Sequence, residues 1–163
     1  MLLEAEYKQL AERLGGPEMA DTISSVEMVP YETALGAKMA LAYEKIDQAS
    51  AGKAIYFEYD LDNSWRSNFF ICDDYNPLSM KNEDWACDWV DHIKGPDLES
   101  FAKIYNSTHG FDTTDLEKGT TLYLVARTIA AFGRCAKEFF NKPYALCIAF
   151  HDQNPIIRVK DLG

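Results

Sequence analysis

The sequence predicts a single α+β domain spanning residues 1–163, with antiparallel β-hairpins packed against a long buried helix and N-terminal amphipathic helices. Three observations carry this expectation. Apolar residues recur every three or four positions at the start of the chain. Near residue 53 the period changes to two. Residues 113–140 then form one long stretch that is apolar on most sides. Helices and strands come in runs, which fits α+β better than alternating parallel units.

Leu3, Tyr7, Leu10 and Leu14 mark one face of a first helix, ended by Gly15-Gly16-Pro17. Residues 18–29 show no clear period. Pro30 can open a second helix, whose face is Leu35, Met39, Ala42 and Ile46. In KAIYFEYDL, Ile55, Phe57 and Tyr59 alternate with Tyr56, Glu58 and Asp60, which is strand patterning. Asp62-Asn63-Ser64 has turn chemistry, and RSNFFICD resumes as a strand. Residues 53–73 are thus expected to form a β-hairpin with its loop near Asn63.

WACDWVDHI fits either a short helix capped by Asn82 or a third strand. Asp97 is placed to cap LESFAKIY as another short helix. Thr113 or Thr114 caps the long helix, with Asp115 and Glu117 in its first turn. Gly119 and Gly133 would allow close packing along it, at a cost in helix propensity. YALCIAFH reads as a strand buried on both faces, followed by the turn DQNP and a final strand, IIRVK.

The formal net charge is −10. Such a surface repels phosphates and anionic lipid, so neither nucleic acid nor membrane is an expected partner. The charge is also localised. Residues 58–99 carry eleven acids against three bases, and all three tryptophans, Trp65, Trp85 and Trp89. MLLEAEYKQL lacks the basic start and apolar core of a signal peptide, and no apolar run is long enough to span a bilayer. The expected location is cytoplasmic. Cys72, Cys87, Cys135 and Cys147 form no CxxC pair and are expected to be free thiols in the core.

Several chemistries fit poorly. Asp60, Asp62 and Ser64 imitate the start of a calcium loop, but Trp65 stands where glycine is needed and Ile71 where a bidentate glutamate is needed. A looser set of Asp60, Asp62, Asp73 and Asp74 would be the remaining metal site. No metal and no cofactor is expected. There is no GxSxG elbow, and His92, His109 and His151 are scattered relative to the cysteines, so no catalytic residue is assigned. Phosphate-binding glycine loops are absent from the sequence. Arg127 and Arg134 share a helix face and are expected to be buried against acids of the middle segment.

Two alternatives stay open. Glu58 and Asp60 on one strand face could serve a small hydrolase through paired carboxylates. The long helix or an exposed strand edge could make a self-associating structural subunit. Against these stands protein binding, because carboxylates steer a basic partner while tryptophan and tyrosine anchor it. The candidate partner-binding residues are Glu58, Asp60, Asp62, Trp65, Asp73, Asp74, Tyr75 and Asp84.

The segments YFEYDLDNSW, FFICDDY, DWACDWVDHI, LVARTIAAFGRC and YALCIAFHD lie within residues 53–152, about three-fifths of the chain. With them the chain resembles the small immunity proteins of bacterial polymorphic toxin systems, including contact-dependent growth inhibition. The resemblance implies a protein that binds a cognate toxin domain inside the producing cell and blocks it. Many such toxins are nucleases with basic clefts, which an acidic inhibitor could fill. Other immunity proteins bind away from the cleft, so the resemblance carries over no contact residues.

Overall fold

The computed structural model describes residues 2–110 and 113–162. Helix α1 (Leu2–Gly15) forms on the predicted leucine and tyrosine repeat. Gly16 then adopts φ 89°, a conformation that suits glycine, and Pro17 opens α2 (Pro17–Ser24). Two buried residues, Ala20 and Ile23, hold α2 in place. Two apolar contacts in eight residues are too few to show a period, which is why the sequence is silent there. Helix α3 (Val29–Gln48) carries Pro30 in its first turn, and its predicted face of Leu35, Met39, Ala42 and Ile46 is fully buried.

The strands are β1 (Ala54–Tyr59), β2 (Ser67–Cys72), β3 (Trp89–Lys94), β4 (Ala145–Phe150) and β5 (Ile157–Lys160). They form one sheet in the order β3-β2-β1-β4-β5. β1 runs antiparallel to β2 and parallel to β4, while β2–β3 and β4–β5 are antiparallel. The sheet is therefore mixed, which corrects the expectation of hairpins alone. A parallel pair needs a long crossover. Here the path between β1 and β4 includes α4 (Glu99–Ser107) and α5 (Asp115–Ala136).

Local chemistry explains the other departures. WACDWVDHI divides into a 3₁₀ turn over Asp84–Cys87 and strand β3. Asn82 Oδ1 accepts from the Asp84 amide at 2.9 Å and so sets the turn. Asp97 does not cap α4. Leu98 holds that position with no side-chain cap, and Asp97 instead meets Lys94 at 3.4 Å. α5 starts on a full capping box: Thr114 Oγ1 accepts from the Glu117 amide at 3.2 Å, and Glu117 accepts from the Thr114 amide at 3.0 Å.

Ile55, Phe57 and Tyr59 of β1, with Phe69, Ile71, Leu146 and Ile148, share one core with the helices. Phe57 stacks on Phe132 of α5 at 5.1 Å between ring centroids. The alternate residues Ala54, Tyr56, Cys72, Ala145, Cys147 and Ala149 point to the other face and form a second core. β4 is buried along both faces, as its unbroken apolar run predicts.

α1 packs directly on α5 at Gly119. A Cβ there would lie 3.0 Å from Leu14 Cβ and 3.3 Å from the Ala11 Cα, whereas one at Gly133 meets nothing within 4 Å. Gly119 is thus a close approach and Gly133 is not. Gly119→Ala should destabilise the fold by about 1–3 kcal/mol through overpacking. Gly133→Ala should stabilise it by about 0.5–1 kcal/mol through helix propensity and a less flexible unfolded chain. Urea unfolding of the two variants checks both signs.

Candidate functional site

The second face of the sheet is where the acidic middle segment sits. Residues 73–88 leave β2, reach β5 and return to β3, forming a strap over part of that face. Trp85 is its anchor, 2% exposed and edge-on to Tyr56 and Tyr75 at 6.2 and 5.0 Å. Arg158 of β5 holds the strap down. It donates to Glu83 at 2.8 Å and to the Asn76 carbonyl at 2.9 Å, and its guanidinium lies 5.4 Å from the Trp85 ring. Tyr75 adds a hydrogen bond from its hydroxyl to Asp161. Tyr75 is thereby tied into the strap's own packing, and is only half-buried rather than a free anchor.

The predicted partner-binding residues do not form one site. Glu58, Asp60 and Asp62 lie at the end of β1, whereas Asp73 and Asp74 follow β2 at the opposite end of the pair. Six residues of strand at about 3.3 Å each separate the groups by about 17–20 Å. The looser metal set of Asp60, Asp62, Asp73 and Asp74 is ruled out by that separation. Among the described residues, no group of three or more His, Cys, Asp or Glu is placed to hold a metal ion.

Trp65 is a correction. Ser64 and Trp65 both take positive φ, 58° and 54°, which turns the indole inward. The ring is fully buried against Tyr59, Phe101 and Tyr105, and its Nε1 donates to Thr128 at 3.0 Å. It ties the β1–β2 connection to α4 and α5 and presents no surface. The exposed tryptophan is Trp89, 46% accessible, beside Val90 at 55%. Trp89 lies 5.3 Å from both Phe70 and His92, so three rings meet at the sheet's edge. The site prediction omits these residues. Alternation in WVDHIK marks only His92, opposite the helix-facing Ile93. It would put Trp89 on the Ile93 side, and the register shift between Ile71 and Cys72 turns Trp89 to the other face instead.

The acids also differ in how they are compensated. Asp74 is paired with Lys53 at 3.1 Å, Asp91 with Lys45, and Glu83 with Arg158. The Tyr75 amide first, then Lys53, holds Asp74 below the usual carboxylate range. Lys45, then the His92 amide, does the same for Asp91. Asp62 reaches Tyr105, whose hydroxyl is raised by burial and by that carboxylate. Asp84 meets only the amide of Asn82. Asp73, Asp84 and Asp88 are exposed and have no cationic partner among the described residues. Because Cys72 pairs with Trp89, Asp73 and Asp88 sit side by side at that end of β2 and β3.

Glu58 is already engaged. It accepts from the Tyr56 hydroxyl at 2.8 Å and lies 3.2 Å from His151 Nδ1. The carboxylates with displaced pKa values, Asp47, Asp74, Asp91 and Glu117, are all shifted downward. None has the raised value of a general acid. A 440 Å³ cleft lies between α3 and the end of α5, but its Glu32 is bonded to Arg134 at 2.6 Å. Arg134 also reaches Glu4 at 2.8 Å, and Arg127 lies 3.5 Å from Glu4. These arginines therefore pair with N-terminal acids, not with the middle segment. α5 turns that face toward α1, so its cations meet the acids carried there.

Searches against family models, curated proteins and solved structures return no match for the chain. No helix among the described residues is long and apolar enough to cross a membrane.

The four cysteines are free, but only Cys72 and Cys147 are buried core residues; Cys135 is intermediate and Cys87 is exposed. Burial pushes the Cys72 thiol up to about 12 and raises that of Cys147. At pH 8, iodoacetamide should therefore alkylate Cys87 in the native protein and spare Cys72 and Cys147, as read by mass spectrometry. Arg158→Ala leaves Glu83 without its cation and should cost about 3–5 kcal/mol. With the strap released, Cys72 and Cys147 should become reactive.

Glu58, through its hydrogen bond, raises the His151 pKa above 6.5. The pair's small contribution to stability is present below the ordinary histidine pKa. It is lost as pH rises through the raised value. An NMR titration should find the His151 pKa above 6.5, and Glu58→Gln should bring it back down.

Proposed function

We propose that the protein is an immunity-type inhibitor that binds and neutralises a cognate toxin domain, a basic protein of the nuclease type. The observation that carries this reading is the pairing of uncompensated carboxylates with an exposed indole. Asp73 and Asp88 lie together beside Trp89, and Asp84 stands on the same strap. Such groups attract a cationic surface at long range and then offer it a desolvating contact. A cytoplasmic location in the toxin-producing cell and the absence of catalysis belong to the same proposal. The paired-carboxylate hydrolase gains little support, since Glu58 is bound by Tyr56 and His151. The free edge of β3 would suit a self-associating structural subunit, but a net charge of −10 on each copy opposes it.

The test begins with affinity capture from the source lysate in low and high salt, with mass spectrometry of the retained proteins. A basic protein released by salt is the expected product. Its association with the doubly reversed variant Asp73→Lys, Asp88→Lys should be roughly tenfold slower at low salt, with a flatter salt dependence. Association that is unchanged at every salt concentration would sink the acidic-surface reading.

A further inference from the structure

We propose that the partner docks at the free edge of β3, adding an extended segment that carries arginine or lysine as one more strand of the sheet. This rests on the reading of a basic partner and says where and in what form that partner binds. β3 ends the sheet, and nothing among the described residues pairs with its outer side. The ladder to β2 fixes which groups face out. Gly95 donates to the Ser67 carbonyl at 2.8 Å, so the alternation of an antiparallel pair turns the amides of His92 and Lys94 away from β2. The His92 amide confirms this by donating to the Asp91 carboxylate at 2.7 Å.

That carboxylate is a replaceable cover. Asp91 is held by Lys45 through its other oxygen, and its side chain is 47% exposed. An arriving backbone carbonyl can take the His92 amide while Asp91 keeps Lys45, so the exchange strands no charge. The side chains beside the edge then set the occupant's chemistry. Trp89 and Val90 supply exposed apolar area, with Phe70 and His92 behind Trp89. Asp73 and Asp88 supply uncompensated negative charge at one end. Cationic residues with apolar ones between them match that pattern. A second copy of this chain does not. It would bring together two chains that each carry a net charge of −10.

The full chain, ¹⁵N-labelled, would be tested by hydrogen exchange with a ten-residue peptide of alternating arginine and valine. The expected result is at least tenfold slower exchange of the His92 and Lys94 amides, together with a shift of the Trp89 indole resonance. Alternating glutamate and valine should do neither. His92→Pro removes an outward amide that β2 does not use, a position where an edge strand tolerates proline. It should weaken the arginine peptide at least tenfold. Trp89→Ala, at an exposed position, provides a second variant and should weaken it several-fold. If the peptide binds but protects other amides, such as residues 60–66, strand addition at β3 is wrong and the basic-partner reading stands. If it does not bind even at low salt, both fall. Concentration-dependent protection of β3 without peptide would assign the edge to self-association and overturn the proposal.

Discussion

The Arg158 guanidinium is the fixed point on which the second face of the sheet depends. β5 is a short edge strand of four residues. It nevertheless places a cation whose side chain is 3% exposed beneath the strap. Burying that charge is costly unless every contact is good. Here Glu83 neutralises it, backbone carbonyls of Asn76 and Ile156 accept from its two terminal nitrogens, and two rings lie over it, leaving only its buried Nε–H without an acceptor among the described residues. The strap has little regular structure of its own, only two 3₁₀ turns. Without this anchor, Tyr56, Cys72 and Cys147 would lose their cover, and a five-stranded sheet would have one bare apolar face.

Pinning the strap also decides which acids are free. Glu83 is consumed internally by Arg158, as Asp74 is by Lys53 and Asp91 by Lys45. On the helical side, Glu4 and Glu32 are consumed by Arg127 and Arg134. What is left over is not spread evenly. Asp73 and Asp88 are brought together because the strap begins and ends at the same end of the β2–β3 pair. A segment that looks uniformly acidic in sequence thus divides into structural carboxylates and unsatisfied ones, and only the second kind can attract a partner.

Much of the fold is legible in the residues because its causes are local. The leucine repeat of α1, the capping box of α5 and the unbroken apolar run of β4 each state their own structure. The parallel pairing of β1 with β4 is not legible, because it joins segments on either side of α4 and α5 and leaves no local mark. The candidate site was harder still. Trp65 sits in a turn, where composition alone suggests exposure. Two successive residues with positive φ send it into the core instead, where Thr128 satisfies its indole. Trp89 shows the converse: its exposure follows from β3 being last in the sheet order, and no residue near it encodes that. The acids are visible as a group, but their partners, Lys45, Lys53 and Arg158, come from α3, the residue before β1, and β5.

An exposed sheet edge with a half-bare tryptophan is ordinarily a hazard, since it invites pairing with any extended chain. β3 carries three restraints on that hazard. A register shift between Ile71 and Cys72 breaks the ladder near Trp89. The Asp91 carboxylate covers one outward amide. The net charge of −10 opposes a second copy of the chain. None of these is a permanent block. A register shift leaves His92 and Lys94 available, a carboxylate yields to a carbonyl, and negative charge repels only what is itself negative. On the proposal of a basic partner, the restraints act as a filter on charge, disfavouring the chain's own copies while leaving the edge open to a cationic strand.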